Sequence, residues 1–193
     1  AITILFVVAG HSFGVVVVET DSVLEVAVKN LLTGGTSLFL FISGFMFHYV
    51  FYRKYEFRPF LTQKIKNVLA PYLILGFVPV CLYVVTKNTG YGSYFFPSGT
   101  GLFQEYLIPA AKYFWTGRFL TAYWYIPFIM VMFLMSPLHI KFITAGNRAQ
   151  VAILVVLSLV SIFIHRPINN ISVIHSVVHF TPIYLFGIWC SIH

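Results

Sequence analysis

Long apolar runs separated by short polar connections make up most of this chain. A helix needs about 20 apolar residues to cross a bilayer, and six runs reach or approach that length. They are Ile2–Val18, Leu31–Tyr52, Val68–Val85, Phe119–Leu138, Val151–Ile164 and Val177–Ile192, of which the fifth is short for a full crossing. Strand-like alternation is absent over useful lengths. The pattern therefore predicts an all-α, polytopic transmembrane helix bundle with about six spans.

The composition excludes a water-soluble domain. Hydrophobic residues make up 59% of the chain and charged residues only 9%, whereas soluble domains carry about 25% charged residues. The chain is thus predicted to be an integral membrane protein with the lipid bilayer as its partner. The first run lacks the features of a cleaved signal and is read as a retained span. Because the chain opens and closes inside spans, we expect residues 1–193 to form a single membrane domain, the N-terminal portion of a longer protein.

The distribution of charge predicts the orientation. Five basic residues lie at the start of or within the connection between the second and third runs, while the first connection is mostly acidic. The positive-inside rule places the basic connection in the cytoplasm, so we expect a multi-pass protein of the cell membrane with a cytoplasmic N-terminus. No nucleic-acid partner is expected. The basic residues are Arg53, Lys54, Arg58, Lys64 and Lys66.

A long connection, residues 86–116, is predicted on the outer side and is rich in glycine and aromatic residues. Loops of this length are usually functional or flexible. Two interpretations stay open at this point. The segment is either an aromatic belt at the membrane interface with turns, or a loop that covers or receives an acceptor such as a sugar.

His11 is the strongest candidate for chemistry. It lies ten residues into the first apolar run, about 15 Å from the inner end of such a helix and close to the bilayer midplane. A neutral imidazole there can accept a proton from a hydroxyl group and act as a general base. Ser12 follows it directly. The alternative is a histidine that only makes a hydrogen bond between helices.

Other polar residues in or near the spans are weaker candidates. Ser43 lies inside the second run, where small residues allow helices to pack closely. Lys64 and Lys66 lie at the cytoplasmic surface, where cations bind lipid headgroups or the phosphates of a cytoplasmic donor. The aromatic pair Trp124 and Tyr125 opens the fourth span on the outer side and fits an interface anchor. No metal is expected, because the later histidines have no carboxylate nearby in sequence to complete a ligand set.

Four sequence landmarks in order resemble the acyltransferase family 3 membrane proteins, which include bacterial O-acetyltransferases and O-succinyltransferases of surface polysaccharides. Members commonly carry two arginines three residues apart at the third-helix entry, where this chain has Lys64 and Asn67. A lysine keeps the charge but not the bidentate fork of arginine. The landmarks are His11-Ser12, the run Phe39-Leu40-Phe41-Ile42-Ser43-Gly44-Phe45, the entry from Phe60-Leu61 to Pro71-Tyr72, and Trp124-Tyr125.

The resemblance implies a bacterial membrane O-acyltransferase. Such an enzyme moves an acetyl or succinyl group from acyl-coenzyme A, as co-substrate, to a hydroxyl of a glycan or lipid-linked sugar. His11 would be the catalytic residue and Lys64, Lys66 and Asn67 would bind the donor. Two alternatives remain at this stage: a polysaccharide or lipid exporter resembling a flippase, and a scaffold for a glycan synthase. The residues expected to line the site are Ser12, Ser43, Trp124 and Tyr125.

Overall fold

The protein is described here from a computed structural model that covers residues 35–87, 94–120, 123–165 and 171–193. Every regular element in these ranges is helical, which confirms the predicted all-α class. The helices are α1 (Gly35–Met46), α2 (Phe57–Lys64), α3 (Ala70–Val85), α4 (Ile108–Thr116), α5 (Tyr125–Leu134), α6 (Ser136–Thr144), α7 (Asn147–Ile164) and α8 (Val173–Ile192).

Four helical runs in the described ranges are long and apolar enough to cross a membrane. They are Gly35–Lys54, Phe57–Val85, Asn147–Ile164 and Val173–Ile192. The first predicted span, Ile2–Val18, lies outside the described residues. The short fifth run becomes an 18-residue helix because α7 begins earlier, at Asn147.

The fourth predicted span is not one continuous helix. Two shorter helices, α5 and α6, replace it and meet at an angle of 54°. The helix stops at Met135, just before Ser136 and Pro137. Proline has no N–H to donate and its ring collides with the carbonyl four residues earlier, so a continuous helix is disfavoured there. The Ser136 hydroxyl is hydrogen-bonded to the Tyr55 hydroxyl at 2.8 Å, which holds the start of α6.

The run from Phe57 to Val85 is continuous although it contains prolines. Between α2 and α3 the chain makes a π turn, Ile65–Leu69, and Pro71 follows at the start of α3. A π turn is wider than an α-helical turn and accommodates a residue that cannot donate a backbone hydrogen bond. The predicted entry of the third span therefore contains a local widening next to Lys64 and Lys66.

The described residues divide into two compact units. The first contains residues 35–54, 141–158 and 180–193, and the second contains the remaining described residues up to 179. In the first unit α1 and α8 approach closely, since Gly44 lies against the backbone of Tyr184 and Gly187 lies against the backbone of Phe41. Such contacts between small residues are typical of helix pairs in membranes.

The second unit is built around aromatic side chains. The Tyr72 hydroxyl donates to the carbonyl oxygen of Phe114 at 2.6 Å, which joins α3 to α4. The ring of Phe95 stacks on that of Tyr113, with centroids 4.2 Å apart, and both side chains are fully buried. Part of the segment expected as an outer connection is thus a helix packed into this core, because Tyr113 and Phe114 contact Tyr83 and Tyr72 of α3.

Gly117 ends α4 in the left-handed conformation, with φ of 66°. A side chain is strained in that conformation, and a Cβ atom there would also overlap the backbone of Tyr123. Glycine is therefore required to turn the chain from α4 towards α5.

An exposed ion pair closes the segment before α4. Lys87 Nζ lies 2.8 Å from Glu105 Oε2, and the backbone N–H of Gly101 donates to Glu105 Oε1. The lysine ammonium lowers the pKa of Glu105, mainly through its hydrogen bond, and the carboxylate in turn raises the pKa of Lys87.

We expect the pair to order residues 94–107 near neutral pH and to lose its effect in acid. A lowered carboxyl pKa contributes stability above the unfolded value, and this contribution disappears as the pH falls through the folded pKa of Glu105. On the alkaline side it is lost only as the pH rises through the raised pKa of Lys87. Glu105→Gln should increase local hydrogen exchange of this segment at neutral pH and cause no difference in acid. The exposed Glu56→Gln serves as the control, and an equal effect of Glu105→Gln at both pH values would contradict the prediction.

Candidate functional site

The two first-helix candidates, His11 and Ser12, lie outside the described residues. Ser43 is described, and its hydroxyl donates to the carbonyl oxygen of Phe39 at 2.8 Å within the same helix. The neighbouring Gly44 makes the close contact with Tyr184 described above. The landmark run in α1 thus serves helix packing through its glycine, while its serine is hydrogen-bonded locally.

The three donor-binding candidates differ in their surroundings. The ammonium of Lys64 lies over the rings of Phe60 and Phe133, 5.2 and 5.1 Å from their centroids. A cation in that position is held by the electron-rich ring faces. Lys66 and Asn67 are exposed and lie on the π turn after α2. Of the two lysines, Lys66 has its charge more open to a ligand.

The structure does not gather all of these candidates in one place within the second unit. Trp124 is buried at the start of α5 and its ring contacts those of Tyr125 and Phe128. Phe133, which contacts Lys64, lies nine residues further along, or about 14 Å at a rise of 1.5 Å per residue. The aromatic pair and the lysines therefore occupy opposite ends of α5.

A pocket of about 430 Å³ lies in the first unit, where α1 and α8 end. Its central contact joins His48 Nδ1 to Ser191 Oγ at 2.9 Å. The His48 ring also packs against the Tyr52 ring, with centroids 5.3 Å apart. The lining residues are His48, Tyr49, Tyr52, Arg53 and Ser191.

This pocket has hydrogen-bond donors in either tautomer of its histidine. If Nδ1 of His48 carries the proton and donates to Ser191, the serine hydroxyl keeps its hydrogen for a ligand. If the serine donates to Nδ1, the N–H of His48 lies at Nε2 instead. Arg53 adds a permanent positive charge. The arrangement is suited to an anion or to another ligand rich in oxygen atoms.

The later histidines are engaged with backbone or side-chain oxygen atoms. His175 Nε2 lies 3.1 Å from the carbonyl oxygen of Ile164 and 3.0 Å from that of His165. His179 Nδ1 lies 3.1 Å from Ser161 Oγ. Within the four described ranges no group of three histidine, cysteine or acidic residues is placed to hold a metal ion.

Sequence reasoning missed two histidines. His139 directly follows the fourth predicted run, yet it lies in α6 with only 2% of its surface exposed. His48 was not singled out, because its partner Ser191 is 143 residues away in the chain. The sequence does show that His48 is a titratable residue within an apolar run, five residues before Arg53. That signal does not reveal its partner Ser191.

Comparison with known proteins gives one match. A family model described as an acyltransferase domain matches residues 1–193, which is the entire chain. No curated protein and no solved structure matches the sequence.

Proposed function

The chain belongs to the acyltransferase family 3. From that membership we propose the acyl group, the donor and the acceptor of the reaction. It is a multi-pass membrane acyltransferase. The donor that we propose is a cytoplasmic acyl-coenzyme A carrying an acetyl or succinyl group. The acceptor is a hydroxyl of a glycan or lipid-linked sugar. The observation that carries the proposal is the match of the acyltransferase family over the whole length of the chain.

His11 is the proposed general base. Its place in an apolar run of spanning length makes an ionisable side chain costly, and such residues in membranes are usually functional. The imidazole removes the proton from the acceptor hydroxyl, whose oxygen then attacks the carbonyl carbon of the thioester. The carbon–sulfur bond breaks and coenzyme A leaves as the thiolate, which takes up a proton. Ser12 and Ser43, together with Trp124 and Tyr125, are proposed to line this site.

The proposed orientation places the N-terminus and the basic connection in the cytoplasm of a bacterial cell. Support comes from Arg53 and Lys54, which end the first described span, and from Arg148, which begins α7. The hydrogen bond from Trp189 Nε1 to Asn147 Oδ1 brings the start of α7 to the end of α8 within the first unit. Basic residues at one end of a bundle favour the cytoplasmic side.

Donor binding is proposed for Lys64, Lys66 and Asn67 on the cytoplasmic side. Lys66 is the most suitable of the three for contact with a phosphate, because its side chain is exposed on the π turn. Lys64, held over two aromatic rings, has a second role in joining α2 to α5.

The proposal is tested by mass spectrometry of surface glycans from cells with and without the full gene. We expect glycans of unchanged length that lose the mass of one acyl group per modified sugar. Purified protein supplied with acyl-coenzyme A and the deacylated glycan should restore that mass. Glycans that are missing from the surface, with normal acylation of those made inside, would contradict the proposal and favour an exporter.

A further inference from the structure

The pocket formed by His48, Tyr49, Tyr52, Arg53 and Ser191 has no role in the function proposed so far. We propose that it binds a phosphate group, with Arg53 supplying the charge and the His48–Ser191 pair supplying a hydrogen bond. The phosphate comes either from the acyl donor or from a lipid headgroup. If it is the donor's, the inference rests on the proposed function and locates part of the donor site.

Charge is the first argument. The described part of the first unit contains four lysine and arginine residues, whereas no aspartate or glutamate occurs in that part. Among the described residues of this unit these cations have no carboxylate partner, and the nearest described acidic residue in sequence is the exposed Glu56, two positions after Lys54. An anion from solution or from the membrane surface can supply counter-charge to Arg53. The four residues are Arg53, Lys54, Lys141 and Arg148.

The helix ends do not cancel this charge. The pocket lies where α1, with its extension to Lys54, and α8 end, and a helix carboxyl end carries about half a negative charge. Two such ends give about one negative charge, against two positive charges from Arg53 and Lys54 at the end of that extension. The start of α7 contributes about half a positive charge, and Asn147 at that start is bonded to Trp189 of α8.

The shape and chemistry of the pocket favour phosphate. Its volume of about 430 Å³ lies within the range of small-molecule sites and exceeds what one water molecule needs. A guanidinium group matches two phosphate oxygens at once, which a point charge cannot do. The rings of Tyr49 and Tyr52 also line the pocket, and Tyr49 is 70% exposed. A planar ring of a ligand has a surface there on which to stack.

The position along the chain agrees with this role. Arg53 and Lys54 lie just beyond the apolar part of their span, at the level where lipid phosphates and cytoplasmic solutes meet the helices. A donor anchored there by a phosphate could extend its flexible arm towards mid-membrane, where His11 is proposed to act. The pocket therefore fits a binding role at the membrane surface and not the reacting centre itself.

Binding is measured with the full-length protein in two preparations. Coenzyme A is the probe for the protein in detergent, and phosphatidylglycerol is the probe for the protein in phosphatidylcholine nanodiscs. Binding is followed by calorimetry and by the shift in thermal stability. Arg53→Gln should weaken binding of the probe that binds to the wild-type protein by about tenfold or more, since it removes a charge-assisted hydrogen bond. Arg53→Lys should weaken it less, because the charge remains. The control is Arg58→Gln, an exposed arginine outside the pocket lining.

Each result decides the matter. Loss of coenzyme A binding in Arg53→Gln alone identifies the donor as the source of the phosphate, and loss of phosphatidylglycerol binding alone identifies the lipid. Ser191→Ala should weaken binding of the same probe several-fold. It provides a second variant if Arg53→Gln fails to fold. Equal binding by wild type, Arg53→Gln and Ser191→Ala overturns the site. Acyl transfer that persists in that case leaves the proposed function intact, whereas binding without any transfer activity contradicts the function and not the site.

Discussion

His11→Ala is expected to lower the rate of acyl transfer by about 10²–10⁴-fold while the chain still inserts in the membrane. General-base catalysis contributes a factor of this size, and no other titratable side chain lies in the first apolar run. The rate is measured with purified full-length protein, saturating acyl donor and a deacylated glycan, and insertion is measured by the amount recovered in the membrane fraction.

A second substitution separates catalysis from packing. Glutamine can make the hydrogen bonds of a neutral histidine between helices but cannot accept a proton as a base. His11→Gln should therefore be as inactive as His11→Ala. Recovery of activity in His11→Gln would show that the histidine is only a structural link. His165→Ala, at an exposed position, is the matched control and should keep its activity.

The runs of apolar residues predicted most of the helices because backbone groups in a membrane must be paired within the segment. Their ends were less predictable. α7 starts at Asn147, before the apolar run, since polar residues at the membrane surface continue a helix at little cost. The bend at Met135 depends on Pro137, and the apolar pattern of that run does not reveal it. Hydropathy reports the depth of residues and does not report bends.

The segment before α5 shows a different limit. Glycine, proline and aromatic residues there favoured a loop, yet Ile108–Thr116 is a helix. Its order depends on tertiary contacts, in particular the hydrogen bond from Tyr72 to Phe114 and the stack of Phe95 on Tyr113. Local propensity is a weak guide where such contacts decide the outcome.

The site was predictable only in part, for the same reason. A histidine deep in an apolar run is visible in the sequence, because the residue type conflicts with its surroundings. The pairing of His48 with Ser191 is not visible, since it joins residues 143 positions apart and each is ordinary alone. Lys64 looked like a free surface cation, and only the structure reveals the rings of Phe60 and Phe133 beneath it.

Gly44→Leu is expected to destabilise the packing of α1 on α8 by about 3 kcal/mol, the upper end of what added side-chain volume costs in a packed core. A Cβ atom at residue 44 would overlap the carbonyl oxygen of Tyr184, and one at Gly187 would overlap that of Phe41. Backbone atoms cannot rotate away as a side chain can, so the two helices must separate. The effect is measured as the midpoint of unfolding in detergent, followed by tryptophan fluorescence.

The control for this substitution is Gly146→Ala, where a Cβ atom meets no other atom within 4 Å. A surface change of that kind is expected to alter stability by less than about 0.5 kcal/mol. Gly44→Leu and Gly187→Leu should not be additive, because either one already separates the same pair of helices. Additive losses, or stability equal to that of Gly146→Ala, would show that the two glycines do not form one contact surface. In that case the landmark run in α1 would need another explanation, and its Ser43 would return as the residue of interest.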